Sequence, residues 1–185
     1  MEEELEVGKD RNAEALKSGV ILGLISTIVT ILIYISDISL LADWKLGLSM
    51  SVLSLAFVIY MGRKFRLEET DGFLSYKESF YYSFVVFFIS SVISAAFLIL
   101  LYEVIDPEVS RVLADQAIEN TEKMMRNFGA PEEQIDQSLE ELDGQMIESF
   151  SAVGVMKNSW VYFISSTILG AICAIFIKKS RPEFE

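Results

Sequence analysis

Four stretches of the chain carry no Asp, Glu, Lys or Arg: Ser18–Ser36, Leu46–Gly62, Ser79–Tyr102 and Asn158–Ile177. A hydrocarbon core about 30 Å thick takes roughly 20 helical residues to cross, so each run is long enough, or nearly so, to span a bilayer. A helix of a soluble bundle repeats its apolar positions every three or four residues and keeps charge on its other face. Val20–Ile35, which reads VILGLISTIVTILIYI, is apolar or small on every face. Lipid is the solvent that suits such a helix. The pattern predicts four transmembrane helices. The first run does not read as a cleaved leader, because Glu2, Glu3, Glu4, Glu6, Asp10 and Glu14 precede it and no small-x-small site comes before Asp37.

Between the third and fourth runs the pattern changes to charged residues with apolar positions at helical spacing. Asp106-Pro107-Glu108 reads as an N-cap, a proline at the first helical position and an acid suited to the helix dipole. Gly129 is a natural stop, and Pro131-Glu132-Glu133 opens a second helix. In that second helix Ile135, Leu139, Leu142, Met146 and Phe150 form one continuous apolar stripe. Val109, Leu113, Ala117, Met124 and Phe128 form the expected apolar side of the first. The prediction is an amphipathic helical hairpin turning at Gly129-Ala130, its second helix running on towards the fourth span with Gly154 as a weak point. The fold class is therefore all-α and polytopic. Residues 1–17 are an acidic tail, 18–102 hold the first three spans, 103–157 the hairpin, and 158–185 the last span with a basic tail.

Lys and Arg set the orientation. Lys9, Arg11 and Lys17, then Arg63, Lys64, Arg66 and Lys77, then Lys178, Lys179 and Arg181 all flank one side. Lys45, Arg111, Lys123, Arg126 and Lys157 are on the other, mostly far from a span end. Under the positive-inside rule both termini are cytoplasmic and the hairpin is extracytoplasmic. Acidic residues contribute little to that rule, so the N-terminal acids do not reverse it. Tyr34, Trp44, Tyr60, Tyr81, Tyr82, Tyr102, Trp160 and Tyr162 fall at or near span ends, where amphipathic rings sit between headgroups and acyl chains. The Arg63–Glu78 connection reads as a short loop whose RKFR stretch touches anionic headgroups. Small residues recur at four-residue spacing as Gly19 and Gly23, Gly47 and Ser51, and Ser166, Gly170 and Ala174. These rows fit close helix packing, with Ser90, Ser91 and Ser94 as candidate interhelical hydrogen-bonding groups.

Composition then limits the chemistry. The chain has no histidine and one cysteine, Cys173, inside the fourth run. That removes the commonest general base and metal ligand, every Ser-His or Cys-His nucleophile, and any disulfide within the chain. The acid pairs Glu132–Glu133 and Glu140–Glu141 lack a calcium-loop pattern: counting from Asp136, Ser138 and Glu141 stand where Asp or Asn and glycine belong. They read as solvated helix faces. Gly19–Gly23 is no phosphate loop, having no strand before it. No cofactor, metal or catalytic residue is expected, and no nucleic-acid partner. An enzyme would have to rest on carboxylates, serines, Tyr81 or Tyr82 alone.

Leu74-Ser75-Tyr76-Lys77-Glu78-Ser79-Phe80 entering the third span, Tyr102 with Ile105-Asp106-Pro107-Glu108 leaving it, Met124–Gly129, Pro131–Ile135 and the closing Lys178-Lys179 together resemble a known pattern. Nearly the whole chain is similar to the domain of unknown function 4199 family of small bacterial integral membrane proteins. The resemblance implies four transmembrane helices and brings no activity or catalytic residue with it. The reading favoured on these grounds is a non-enzymatic scaffold or interaction protein of the bacterial cytoplasmic membrane. Its partners would be the lipid bilayer and a second copy or another protein met through the 103–157 hairpin. The alternative is an oligomeric small transporter or channel. Against it, ion-coupled transport normally keeps an ionisable group within the membrane, and the four runs have none.

Overall fold

The computed structural model describes residues 2–181, with side chains from Arg11 onward. Met1 and residues 182–185, the end of the expected basic tail, lie outside the described residues. The order is α1 (Glu2–Ser36), a 3-10 turn (Ile38–Ala42), α2 (Trp44–Glu69), α3 (Tyr76–Leu100) running into a π-helical turn (Leu101–Ile105), α4 (Val109–Asn127), α5 (Glu132–Ser149), α6 (Ala152–Lys157) and α7 (Ser159–Ile177). Four helical stretches are long and apolar enough to cross a membrane: Arg11–Ser36, Trp44–Glu69, Tyr76–Ile105 and Ser159–Ile177. They contain the four uncharged runs, apart from Asn158. Leu24, Ile28, Leu32, Val52, Leu53, Ile168 and Ile175 are exposed on them, a surface that water would penalise and lipid accepts. The chain is a multi-pass membrane protein.

Two boundaries differ from expectation. The backbone of the acidic N-terminal segment is helical from Glu2 and continuous with the first span, with no separate tail conformation. The side chains of its acids up to Asp10 lie outside the described residues. The second span does not end at Gly62 but continues as helix to Glu69, so the RKFR stretch is helical and the connection shrinks to 70–75. Its turn uses Asp71 (φ 38°) and Gly72 (φ 80°). Six good helix formers, Arg63, Lys64, Arg66, Leu67, Glu68 and Glu69, and a buried Phe65 explain the extension.

Two compact units are present, and each is described by itself. The first is built from 11–27, 50–94 and 160–181 among the residues with described side chains. Its core gathers Ala15, Leu22, Val58, Phe65, Leu74, Tyr82, Val86, Phe87, Cys173 and Ile177. The small rows act here as packing surfaces. A Cβ on Gly19 would lie 2.9 Å from Ile89 Cβ and 3.0 Å from the Val86 carbonyl oxygen, and one on Gly23 would lie 2.9 Å from Ile93 Cβ. On α7, Ser166, Gly170 and Ala174 are all buried, with the Gly170 Cβ position 3.1 Å from the Phe84 backbone nitrogen. Phe163 meets Phe84 edge-on at 5.4 Å. A hydrogen bond between spans joins Ser18 and Tyr82 (2.9 Å), not the Ser90, Ser91 and Ser94 named for that role, whereas Ser79, Ser83 and Ser166 bond carbonyls four residues before them.

The second unit comprises 28–49 and 95–159. Asp37 caps the 3-10 turn by accepting from the Ser39 N–H at 3.0 Å, and Asp43 accepts from the Lys45 N–H at 2.8 Å as α2 begins. Gly47 and Ser51 were expected to pack, but a Cβ on Gly47 would meet nothing within 4 Å and Ser51, in the neighbouring unit, is exposed. Asp106 was expected as the N-cap and Pro107 as the first helical residue, but α4 starts at Val109 with Glu108 at its cap and no side-chain cap bond. Asp106 instead accepts from the Glu108 N–H at 3.2 Å within the turn that precedes the helix. Gly129 (φ 74°) ends α4, and Pro131 stands at the cap of α5 rather than inside it. α4 and α5 pack on each other.

Gly154 is not the weak point. The break falls at Phe150 and Ser151, whose hydroxyl accepts from the Gly154 N–H at 3.2 Å and starts α6. A Cβ on Gly154 would lie 2.1 Å from the Glu148 carbonyl oxygen. Glycine is needed here because α6 folds directly onto the end of α5. Glu103 adds a second tie by accepting from the Ala152 N–H at 3.0 Å.

Candidate functional site

The apolar stripe of α5 was the sequence's candidate contact surface. Ile135 is buried, while Leu139, Leu142, Met146 and Phe150 are half-buried. Phe150 also meets the buried Tyr102 edge-on at 6.4 Å. Much of the stripe's apolar area is therefore covered within the chain. On α4, which packs on α5, Val109, Leu113 and Ala114 are buried. Met124 and Phe128 fall on the same side of the helix as Leu113, about 20° and 60° round from it at 3.6 residues per turn, yet they are 53% and 84% exposed. The apolar side of α4 is covered over its first turns and left open over its last.

Those two side chains instead line an open groove of about 780 Å³ with Ala42, Asp43, Trp44, Lys45, Lys123 and Asn127 among its walls. Trp44 is 69% exposed. The Lys45 ammonium lies 5.9 Å from the Trp44 ring centroid. Lys123 pairs with Glu119 at 2.6 Å and, by that hydrogen bond, holds the Glu119 carboxyl below its ordinary range. Asn120 donates to the Ala42 carbonyl at 3.1 Å, and Tyr34 donates to Asp106 at 3.0 Å. The first bond ties α4 to the turn after α1, and the second ties Asp106, three residues before α4, to α1 itself. Asn120 lies eleven residues on from Val109, about 17 Å along the helix.

A second arrangement lies in the first unit, at the RKFR stretch that the sequence reads only as a headgroup contact. Arg63 Nε donates to the Phe176 carbonyl at 3.0 Å, and Arg66 donates to the carbonyls of Ile177 and Lys178. These are carbonyls that the end of α7 leaves without intrahelical partners. Phe65 between the two arginines stacks on Tyr82 at 5.4 Å. Leu74 and Lys179 then exchange both backbone hydrogen bonds, at 2.9 and 2.8 Å. Tyr82, expected at an interface, is fully buried with its hydroxyl engaged by Ser18. Tyr81 beside it lies under the Arg11 guanidinium at 4.7 Å, and Arg11 faces Glu78 at 3.9 Å. A cavity of about 490 Å³ opens next to this cluster, lined by Glu69, Asp71, Phe73, Ser75, Glu78 and Arg181 among others.

The one signal in the sequence for the arginine clamp is that two arginines three apart sit beside the only aromatic residue of the second span's extension. Among the described residues no three His, Cys, Asp or Glu side chains come together as a metal set. The Cys173 thiol is buried and faces the Leu55 carbonyl at 3.9 Å.

Neither the curated proteins nor the solved structures contain a match to this chain. A family model described as protein of unknown function (DUF4199) matches residues 17–179, every candidate span falling largely within it, and the chain belongs to that family.

Proposed function

We propose that this protein is a non-enzymatic membrane scaffold, with both termini in the bacterial cytoplasm and an acidic helical hairpin, α4–α5, laid across the extracytoplasmic ends of its spans. The observation that carries this reading is a tie at each end of the segment 106–120. Tyr34–Asp106 holds the turn that leads into α4, and Asn120–Ala42 holds α4 itself, both at residues near the ends of spans one and two. A helix held at that level just before its start and again about 17 Å along it lies along the membrane plane. The bias of Lys and Arg towards the side of the termini supports the orientation. Exposed Glu132, Glu133, Asp136, Glu140, Glu141 and Asp143 leave α5 an acidic outer face for a second copy or another protein.

Impermeant thiol labelling of Asp115→Cys, Glu140→Cys and Lys179→Cys in intact cells tests the orientation. The first two are expected to react from outside and the third only after the membrane is opened. Glu140→Cys reacting only from the cytoplasm would overturn it. For the scaffold role, Glu140→Lys/Glu141→Lys is expected to dissolve the protein's complexes on native gels, and complexes of unchanged size would count against it.

A further inference from the structure

We infer that the groove between Trp44 and the last turns of α4 holds one anionic phospholipid, its phosphodiester between Lys45 and Lys123 and an acyl chain along Trp44, Met124 and Phe128. The inference rests on the membrane reading above and adds an occupant to it. Three observations lead there. First, the groove lies where Trp44 begins α2 and where Asn120 ties α4 to Ala42, at a span end, and lipid is the solvent that reaches such a level. Second, Trp44, Met124 and Phe128 are 69%, 53% and 84% exposed in one groove, while Leu113 and Ala114 of the same α4 are buried. An indole, a thioether and a phenyl ring gathered beside polar groups match the boundary between headgroup and acyl chain.

Third, the polar lining is largely committed in a way that leaves cations for a ligand. The Asp43 carboxylate accepts from the Lys45 N–H, Asn120 donates to Ala42, and Thr121 donates to the Ala117 carbonyl. Lys123 keeps two ammonium hydrogens beyond its bond to Glu119, and the Lys45 ammonium rests over an aromatic face. Two lysines lining one groove with Trp44, Met124 and Phe128 suit one phosphodiester with an attached chain. The volume, about 780 Å³, is within the usual range of a small-molecule site, roughly 300–1,000 Å³.

The test is native mass spectrometry of the full-length protein in detergent, titrated separately with phosphatidylglycerol, phosphatidylcholine and glycerol 1-phosphate. The wild type is expected to retain one phosphatidylglycerol in preference to phosphatidylcholine and to bind no glycerol 1-phosphate. Lys45→Ala/Lys123→Ala is expected to weaken that retention about tenfold, in keeping with the pull of basic residues on anionic lipid. Phe128→Ala should weaken it too, Lys45→Arg/Lys123→Arg should keep it, and Lys157→Ala should not change it. Undiminished binding by the double alanine variant, with helicity matching the wild type, would overturn the inference. So would glycerol 1-phosphate binding as well as the lipid, or a dimer that Phe128→Ala dissolves, since a second copy would then fill the groove. Failure of the membrane reading itself would show separately, as release of the protein from membranes by alkaline carbonate.

Discussion

Replacing both glycines of the α1 seam, Gly19→Ala/Gly23→Ala, offers a prediction whose sign depends on the packing seen here. In a helix, glycine to alanine gains about 1 kcal/mol of propensity per site. At Gly47 nothing lies within 4 Å of the added methyl, so Gly47→Ala should stabilise or stay neutral. At Gly19 and Gly23 the methyl arrives 2.9 Å from an isoleucine Cβ, and at Gly19 also 3.0 Å from a backbone oxygen. Neither is the far end of a flexible side chain, so α1 and α3 have to separate by a few tenths of an ångström or more. Overpacking of this kind costs about 2 kcal/mol per site, within a range of roughly 1–3. Subtracting the propensity gain leaves the double variant about 2 kcal/mol less stable, while the Gly47 variant moves the other way. Reversible unfolding of the full chain, followed by steric trapping in bicelles, measures both. Equal stability changes for the two variants would refute the assignment of Gly19 and Gly23 to the α1–α3 contact.

Other perturbations address the remaining ties. A double-mutant cycle of Ser18→Ala and Tyr82→Phe should give a coupling of about 0.6–1.7 kcal/mol, the range of interhelical hydrogen bonds in membranes; additive effects would contradict the 2.9 Å bond. Gly154→Ala cannot place its methyl without moving the end of α5, and limited proteolysis near Phe150–Ser151 should rise sharply, whereas unchanged cleavage would mean α6 does not fold back. Arg63→Ala/Arg66→Ala leaves the α7 carbonyls to water, and amide exchange at Leu74 and Lys179 is expected to accelerate about tenfold, since a charged hydrogen bond contributes about 1.5–3 kcal/mol; exchange at the wild-type rate would show the clamp to be inert.

The helices that cross the membrane were legible because lipid imposes a one-dimensional rule: roughly twenty uncharged residues in a row. Gly129 and the α5 stripe were legible for a similar reason, being local signals of a helix stop and of periodicity. The same local rules missed what depends on a distant segment. Tyr82 reads like an interfacial ring until Ser18, 64 residues away, is seen to hold its hydroxyl. Arg63 and Arg66 read like headgroup contacts until the end of α7 is placed beside them, 113 and 111 residues later. Gly154 reads like a helix breaker although its glycine is required by close approach. Met124 and Phe128 share the side of Leu113 by periodicity, but periodicity does not say how far along α4 that side is covered, and they are exposed. That left the groove unread, since its other wall, Trp44 and Lys45, lies in a separate part of the sequence.

The central claim is that α4 lies along the membrane rather than projecting from it. Spin-label power saturation along one exposed side of α4, at Val112→Cys, Asp115→Cys, Glu119→Cys, Lys123→Cys and Arg126→Cys in lipid vesicles, tests it most directly. These positions run about 21 Å along the helix axis, stay within about 80° around it and are all exposed. A helix held by Tyr34–Asp106 and Asn120–Ala42 gives immersion depths with no steady trend along the set. A depth that falls steadily towards water from Val112 to Arg126, by about 1.5 Å per residue, would contradict the account.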